Sequence, residues 1–260
     1  MRPNAIIIIT SGGFLAQFAQ QALATPPDVT FLCDTDFPEI CENMCWAIRC
    51  GNPNFRQRLT FDSPSKEKKK ERRDAAGCGR PNRCNSSNQG KPGFRGGGLI
   101  SCDEYPFAST READQGHQVT RCVSIDEQRK QGALLSKTKA AVARQGRTDF
   151  LINFGNPGNT QYCNNAPCKN DGWQVQDGQV QNSIETSAQF NYYTTSSGIV
   201  IGSLGRVDIG TNFTRALGSE EPSHGHLDTW VESIEEYGDM RITSDTILSE
   251  LPWDHFLVSR

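Results

Sequence analysis

The chain reads Leu99-Ile100-Ser101-Cys102-Asp103-Glu104-Tyr105-Pro106-Phe107-Ala108-Ser109-Thr110 and, after a polar loop, Gln118-Val119-Thr120-Arg121-Cys122-Val123-Ser124-Ile125. It runs straight on into Asp126-Glu127-Gln128-Arg129-Lys130-Gln131-Gly132. Gly98 to Cys102 reads as a short strand. Gln118 to Ile125 alternates as a second strand should. Ser124-x-x-Glu127 is a capping box, and it predicts a long helix over residues 126–145 with Leu134, Leu135, Thr138, Ala141 and Val142 as its apolar stripe. The order is strand, turn, strand, helix, within an α+β fold.

This order places Asp103 and Glu104 at the end of a strand and Glu127 with Gln128 at the start of a helix. Carboxylate and amide oxygens in that arrangement suit one hard divalent cation. A remaining carboxylate can take a proton from water as general base. A cation beside a basic groove suits phosphodiester hydrolysis. The bland alternative is a surface Asp-Glu pair and a Glu127 that is no more than a helix cap.

Working outward, residues 77–98 form a Gly-, Asn- and Pro-rich loop containing Cys78 and Cys84. Before it stands Lys66-Glu67-Lys68-Lys69-Lys70-Glu71-Arg72-Arg73. From Arg56 to Arg95 there are 12 basic and 4 acidic residues, a local charge of +8. Lys68, Lys69, Lys70, Arg72 and Arg73 are the candidate phosphate contacts. A solvated helix face or a dibasic processing site at Arg72-Arg73 are the competing readings. From Gly205 to Arg260 the balance is 4 basic and 11 acidic, or −7, which raises the possibility that this tail folds over the basic segment. The whole chain carries −3 over 260 residues, so any argument for nucleic acid has to be local. Hydrophobic residues make up 35%, which excludes a fully disordered chain. No run of about twenty apolar residues occurs, which excludes a multispan membrane protein.

Residues 1–24 read as a secretory signal peptide: Arg2, an apolar stretch from Ala5, and Ala22-Leu23-Ala24 as the cleavage pattern. All ten cysteines follow it: Cys33, Cys41, Cys45, Cys50, Cys78, Cys84, Cys102, Cys122, Cys163 and Cys168. An even number in an exported chain predicts a disulfide framework, with connectivity left open. Zinc is the weaker reading, because no pair of CxxC motifs and no histidine at finger spacing accompanies them. Cys41 and Cys45 share one face of a helix near residues 33–50, with Asp36 as its cap and Pro38 in its first turn, and are expected to bond to different partners. Cys163 and Cys168 are close enough to bond to each other. Asn85 and Asn212 head glycosylation sequons. Gln57 to Asp62 and residues 148–154 read as strands, residues 173–213 as strand-rich, and residues 227–237 as a helix. No linker of useful length divides the chain, so residues 25–148 are expected to form a core and residues 149–260 a C-terminal extension packed on it.

The segment Cys102-Asp103-Glu104-Tyr105-Pro106-Phe107-Ala108-Ser109-Thr110 resembles the signature of the NucA/NucB family of secreted, non-specific deoxyribonucleases. The likeness continues in Lys70-Glu71-Arg72-Arg73 upstream and in Arg121-Cys122-Val123 and Gln131-Gly132 downstream. Cys41-Glu42-Asn43-Met44-Cys45-Trp46 is similar to the longer, cysteine-rich fungal members. The resemblance covers about residues 33–140. It implies a ββα-metal (His-Me finger-like) core with a disulfide-stapled N-terminal region and a β-rich C-terminal extension. It also implies Asp103 as general base in place of histidine, Glu104 orienting the site, and a divalent metal, Mg²⁺ or Mn²⁺, near Glu127 and Gln128. Where bacterial members carry Asp-Asn, this chain has Glu127-Gln128. Glu112 is a weaker acidic candidate, His117 an alternative base, and His224-Gly225-His226 a turn rather than a metal pair. The expected activity is secreted, metal-dependent hydrolysis of DNA with little sequence preference, and RNA is a possible second substrate. No membrane and no obligate protein partner are expected. The alternative function is a non-catalytic, disulfide-rich extracellular binding protein or effector derived from a nuclease.

Overall fold

The computed structural model describes residues 28–80, 82–182, 188–217, 229–231 and 240–256. The expected signal peptide and His224-Gly225-His226 lie outside them. Among the described residues three helices and twelve strands make a mixed α+β fold. The helices are α1 (Pro38–Arg49), α2 (Lys66–Ala76) and α3 (Ile125–Arg144). The strands are β1 (Asp28–Leu32), β2 (Arg58–Thr60), β3 (Ser101–Tyr105), β4 (Val119–Val123), β5 (Asp149–Gly155) and β6 (Val175–Gln176), followed by β7 (Gln179–Val180), β8 (Asn191–Thr195), β9 (Val200–Ser203), β10 (Asn212–Leu217), β11 (Thr229–Val231) and β12 (Met240–Leu251).

Two sheets result. The smaller runs β3-β4-β6-β7, and β3 and β4 pair antiparallel with Asp103 opposite Arg121. The larger runs β1-β5-β9-β8-β12-β10, with β2 added to β5 and β11 to β12. Its hub is β5, which pairs parallel with β1 and antiparallel with β2 and β9. Phe154 and Phe150 of β5 are fully buried, and Phe150 stacks on Phe61 at 4.1 Å between ring centroids. Trp46 of α1 meets Tyr162 edge-on at 4.7 Å. Burial of large aromatics such as these dominates the energetics of a core.

The capping chemistry decides where the helices start. Ser124 Oγ accepts from Glu127 N at 3.0 Å and opens α3. Ser65 caps α2 in the same way, and Gly77, at φ +78, closes it in the left-handed conformation that glycine tolerates. At α1 the expectation is corrected. Phe37, not Asp36, is the cap residue and supplies no side-chain bond, although Pro38 does stand at the first turn. The missing cap is provided from outside the helix, by Glu127.

All ten cysteines are paired. The bridges are Cys33–Cys41, Cys45–Cys163, Cys50–Cys168, Cys78–Cys102 and Cys84–Cys122. Cys41 and Cys45 do take different partners. Cys163 and Cys168 do not bond to each other, because each reaches back to a cysteine of the α1 segment. Residues 229–231 form a strand where a helix was expected, and the remainder of residues 227–237 apart from these lies outside the described residues. No helix among the described residues is long and apolar enough to cross a membrane.

Candidate active site

Asp103 lies in the middle of β3, beneath α1 and α3, and is completely buried. Each of its carboxyl oxygens accepts one amide N–H. Gln131 of α3 donates from Nε2 to Oδ1 at 2.7 Å, and Asn43 of α1 donates from Nδ2 to Oδ2 at 2.8 Å. Gln128 extends the chain by donating from Nε2 to Gln131 Oε1 at 2.7 Å. Burial pushes the Asp103 carboxyl up to about 8, against the two amide donors, while the Glu104 and Glu127 carboxylates add to the rise. A carboxyl shifted this far toward neutrality is poised to exchange a proton near physiological pH.

Glu104 is the next residue on the strand and so points to the opposite face of β3. Its carboxylate accepts from the Ala108 backbone N–H and lies 3.8 Å from Arg73 Nε. Burial raises it to about 7, against Arg73 and the Ala108 N–H, and its side chain keeps 11% exposure. The expected orienting bond from Glu104 into the Asp103 site is not made. Its partners belong to the other face.

Glu127 and Gln128 stand in the first turn of α3. Glu127 Oε2 accepts from Glu39 N at 3.0 Å and Ile40 N at 3.1 Å, and so caps α1. It is therefore a cap, though for a helix other than its own. Burial raises its carboxyl, offset in part by those two N–H groups. Gln128 Oε1 and Asn43 Oδ1 are among the buried amide oxygens with no donor among the described residues. No three His, Cys, Asp or Glu residues converge as a metal site among the described residues. Gln128 Oε1, left without a donor, and the Glu127 oxygen not used in the cap are hard oxygen atoms of the kind that Mg²⁺ takes as ligands.

The basic segment divides in two. Arg72 is withdrawn from any phosphate role. Its side chain is 3% exposed and forks between Asp62 Oδ2 and Asp114 Oδ2, both at 2.7 Å, with Ala108 O as a further acceptor. These carboxylates raise the guanidinium further above its usual range, and Arg72 with Lys68 holds Asp114 well below the usual carboxylate range. Lys68 pairs with Asp114 and Glu71, and Lys70 with Asp74. Lys69 makes no ion pair among the described residues, and Arg73 is exposed with Glu104 as its neighbour.

Other candidates fall away from Asp103. Glu112 Oε2 accepts from Thr60 N and fastens β2. His117, at φ +58, is exposed and pairs with Asp177 at 2.8 Å. Asn85 is exposed and caps a short turn through Ser87 N, and Asn212 is exposed on β10 with Oδ1 accepting from Thr246. Much of the acidic stretch over residues 205–260 lies outside the described residues. Within them, Asp245 accepts from Thr195 and Ser196, and Glu250 meets Arg206. Sequence reading missed Asn43. Its only signal is a polar side chain among Ile40, Cys41, Met44 and Cys45 on a nearly all-buried helix.

The comparisons bear on this geometry directly. Residues 44–153 match the family model for Deoxyribonuclease NucA/NucB. That segment belongs to the NucA/NucB family. No curated protein and no solved structure matches the chain. The NucA/NucB segment contains β3, β4 and α3 entire and ends inside β5. Asn43 therefore lies one residue before the NucA/NucB match, while the carboxyl it touches lies well within it.

Proposed function

We propose that the protein is a metal-dependent endonuclease that hydrolyses DNA phosphodiester bonds with little sequence preference. We propose further that it acts outside the cell as a long, cysteine-rich member of its family, with a core ending near residue 148 and an extension from 149 onward. The observation that carries the reading is the Asp103 carboxyl. It is buried, doubly hydrogen-bonded and shifted to about 8, between a strand hairpin and the helix that follows it. Antiparallel β3 and β4 followed by α3 support a ββα-metal core.

In this reading Asp103 is the general base. Its two oxygens each give one lone pair to an amide and keep a second, which a water admitted by movement of the surrounding side chains would occupy. As the water oxygen bonds to phosphorus, its proton passes to Asp103, the phosphorus–oxygen bond to the sugar breaks, and the leaving oxygen takes a proton from solvent. Glu127 and Gln128 would hold Mg²⁺ or Mn²⁺, and the bound ion would neutralise charge on the phosphate and the leaving oxygen. Lys69 and Arg73 contact the DNA backbone, Lys68 and Lys70 contribute from within their ion pairs, and Arg72 is a scaffold residue. Ten paired cysteines support an oxidising, extracellular setting.

Glu104 supplies a second reading, in which it is the base. It keeps contact with solvent and faces Arg73 on the basic helix, whereas Asp103 is sealed. Plasmid cleavage by the oxidised protein in Mg²⁺, Mn²⁺ and EDTA, with Asp103→Asn and Glu104→Gln, tests both. Metal-dependent cleavage lost only in Asp103→Asn supports the first reading, and loss only in Glu104→Gln supports the second. Intact plasmid in every lane, from folded protein, rejects the nuclease and leaves a binding protein.

A further inference from the structure

We infer that Asn43 of α1 is a positioning residue for hydrolysis, holding the Asp103 carboxyl in the orientation from which it takes the water proton. This rests on Asp103 being the base, and it adds to the reaction a residue from outside the matched NucA/NucB segment.

Asn43 is fully buried, and its Nδ2 is aimed at one place. It lies 2.8 Å from Asp103 Oδ2, 3.4 Å from Asp103 O and 3.3 Å from Val119 O. The donor thus reaches β3 and β4 together. Gln131 grips the other carboxyl oxygen from the opposite side. A carboxyl held at both oxygens cannot rotate about its last side-chain bond. That removes the freedom which most often misaligns a base. The neighbours of Asn43 are themselves tied down. Cys41 is bonded to Cys33 and Cys45 to Cys163. Glu42 accepts from Gln161 N at 2.7 Å and Tyr162 N at 3.1 Å. Glu127 caps the helix. Helix α1 can neither turn nor slide without breaking several of these contacts, so the direction of Nδ2 is set by the fold.

The remaining amide atom is also informative. Asn43 Oδ1 is buried without a donor among the described residues. A residue kept only for packing gains nothing by leaving an acceptor unsatisfied, which carries an energetic cost that an apolar side chain of similar volume would avoid. Leucine would remove the unpaired oxygen but would also leave Asp103 Oδ2 without this donor, so what the amide contributes at this position is its N–H₂ on Asp103.

The test uses the full, oxidised chain carrying Asn43→Leu, Asn43→Ser or Asp103→Asn. Steady-state plasmid cleavage is measured with thermal unfolding. Asn43→Leu is expected to lower kcat about 10²-fold, the cost of a misplaced catalytic group, with KM within about twofold and a melting temperature only modestly below wild type, because it leaves Asp103 Oδ2 without that donor. Asn43→Ser, which returns a small donor, is expected to recover part of kcat. A second readout needs no activity. The side-chain amide ¹⁵N–¹H signals of Asn43 are expected to move in Asp103→Asn, because the carboxylate acceptor is replaced. Unchanged kcat in Asn43→Leu beside an inactive Asp103→Asn overturns the positioning role alone. A loss of kcat matched by a collapse in melting temperature in both Asn43 variants, or amide signals indifferent to Asp103→Asn, overturns it too. Full activity in Asp103→Asn overturns the base assignment and this inference with it.

Discussion

Gln131 donates to Asp103 Oδ1 at 2.7 Å, so the helix that follows the hairpin grips the carboxyl of its first strand. Gln131 itself accepts from Gln128, which ties that grip to the start of α3. Gln131→Leu removes a buried donor and leaves Gln128 Nε2 without its acceptor. Cleavage is expected to fall about 10²-fold, with a stability loss of about 1–3 kcal/mol for the stranded amide. Initial rates and urea unfolding of the variant measure the two effects separately.

The pH dependence follows from the same carboxyl. A base must be ionised, and Asp103 is shifted to about 8. The expected kcat profile rises with pH through a limb centred near 8 and levels above it. Stability runs the other way. The folded value lies above the ordinary 3.8, so this contribution is fully present below about 4 and is lost as pH rises toward 8. Asp103→Asn cannot ionise. It is expected to be inactive, and to lose less melting temperature than wild type between pH 5 and pH 9 in buffered scans.

Lys69 and Arg72 are close in sequence and opposite in expected effect. Arg72→Ala strands Asp62 and Asp114, and is expected to cost about 3 kcal/mol, the low end for a broken buried pair because both carboxylates face water. Lys69→Ala leaves stability unchanged. It is expected to reduce the salt dependence of DNA binding by about one phosphate contact. Binding titrations in EDTA across a range of salt, with chemical denaturation, check both.

Gln128 Oε1 offers a test of the cation. Gln128→Leu is expected to raise the Mg²⁺ concentration needed for half-maximal cleavage by about tenfold, in the range found for lost supporting groups at metal sites, with DNA affinity in EDTA unchanged. A metal titration of the rate reads this directly. An unchanged half-point places the cation elsewhere.

The strand–strand–helix order over residues 99–145 was legible because its signals are local. Ser124 caps the helix through Glu127 N, and alternation marks β4. Strand β3 starts at Ser101, later than the Gly98 expected, since the glycines at 96–98 all take positive φ. What stayed hidden depends on partners distant in sequence. Glu127 looks like a cap for its own helix, yet it caps α1, 87 residues away at Ile40. Arg72 belongs to a basic run, yet Asp62 and Asp114 claim it. Asn43 becomes a site residue only when α1 is laid across β3. Charge counting and spacing cannot see a contact that exists only after two elements pack.

The cysteine pairing bears on the order in which the chain can be made. Cys33 and Cys41 are 8 residues apart and can close while the polypeptide is still emerging. Cys45 and Cys50 each wait for a partner 118 residues further on. During that wait thiols nearer in sequence compete for them, and any non-native loop so formed has to be undone by exchange. Co-expressing an isomerase is therefore expected to raise yield in a production host more than a stronger oxidant does.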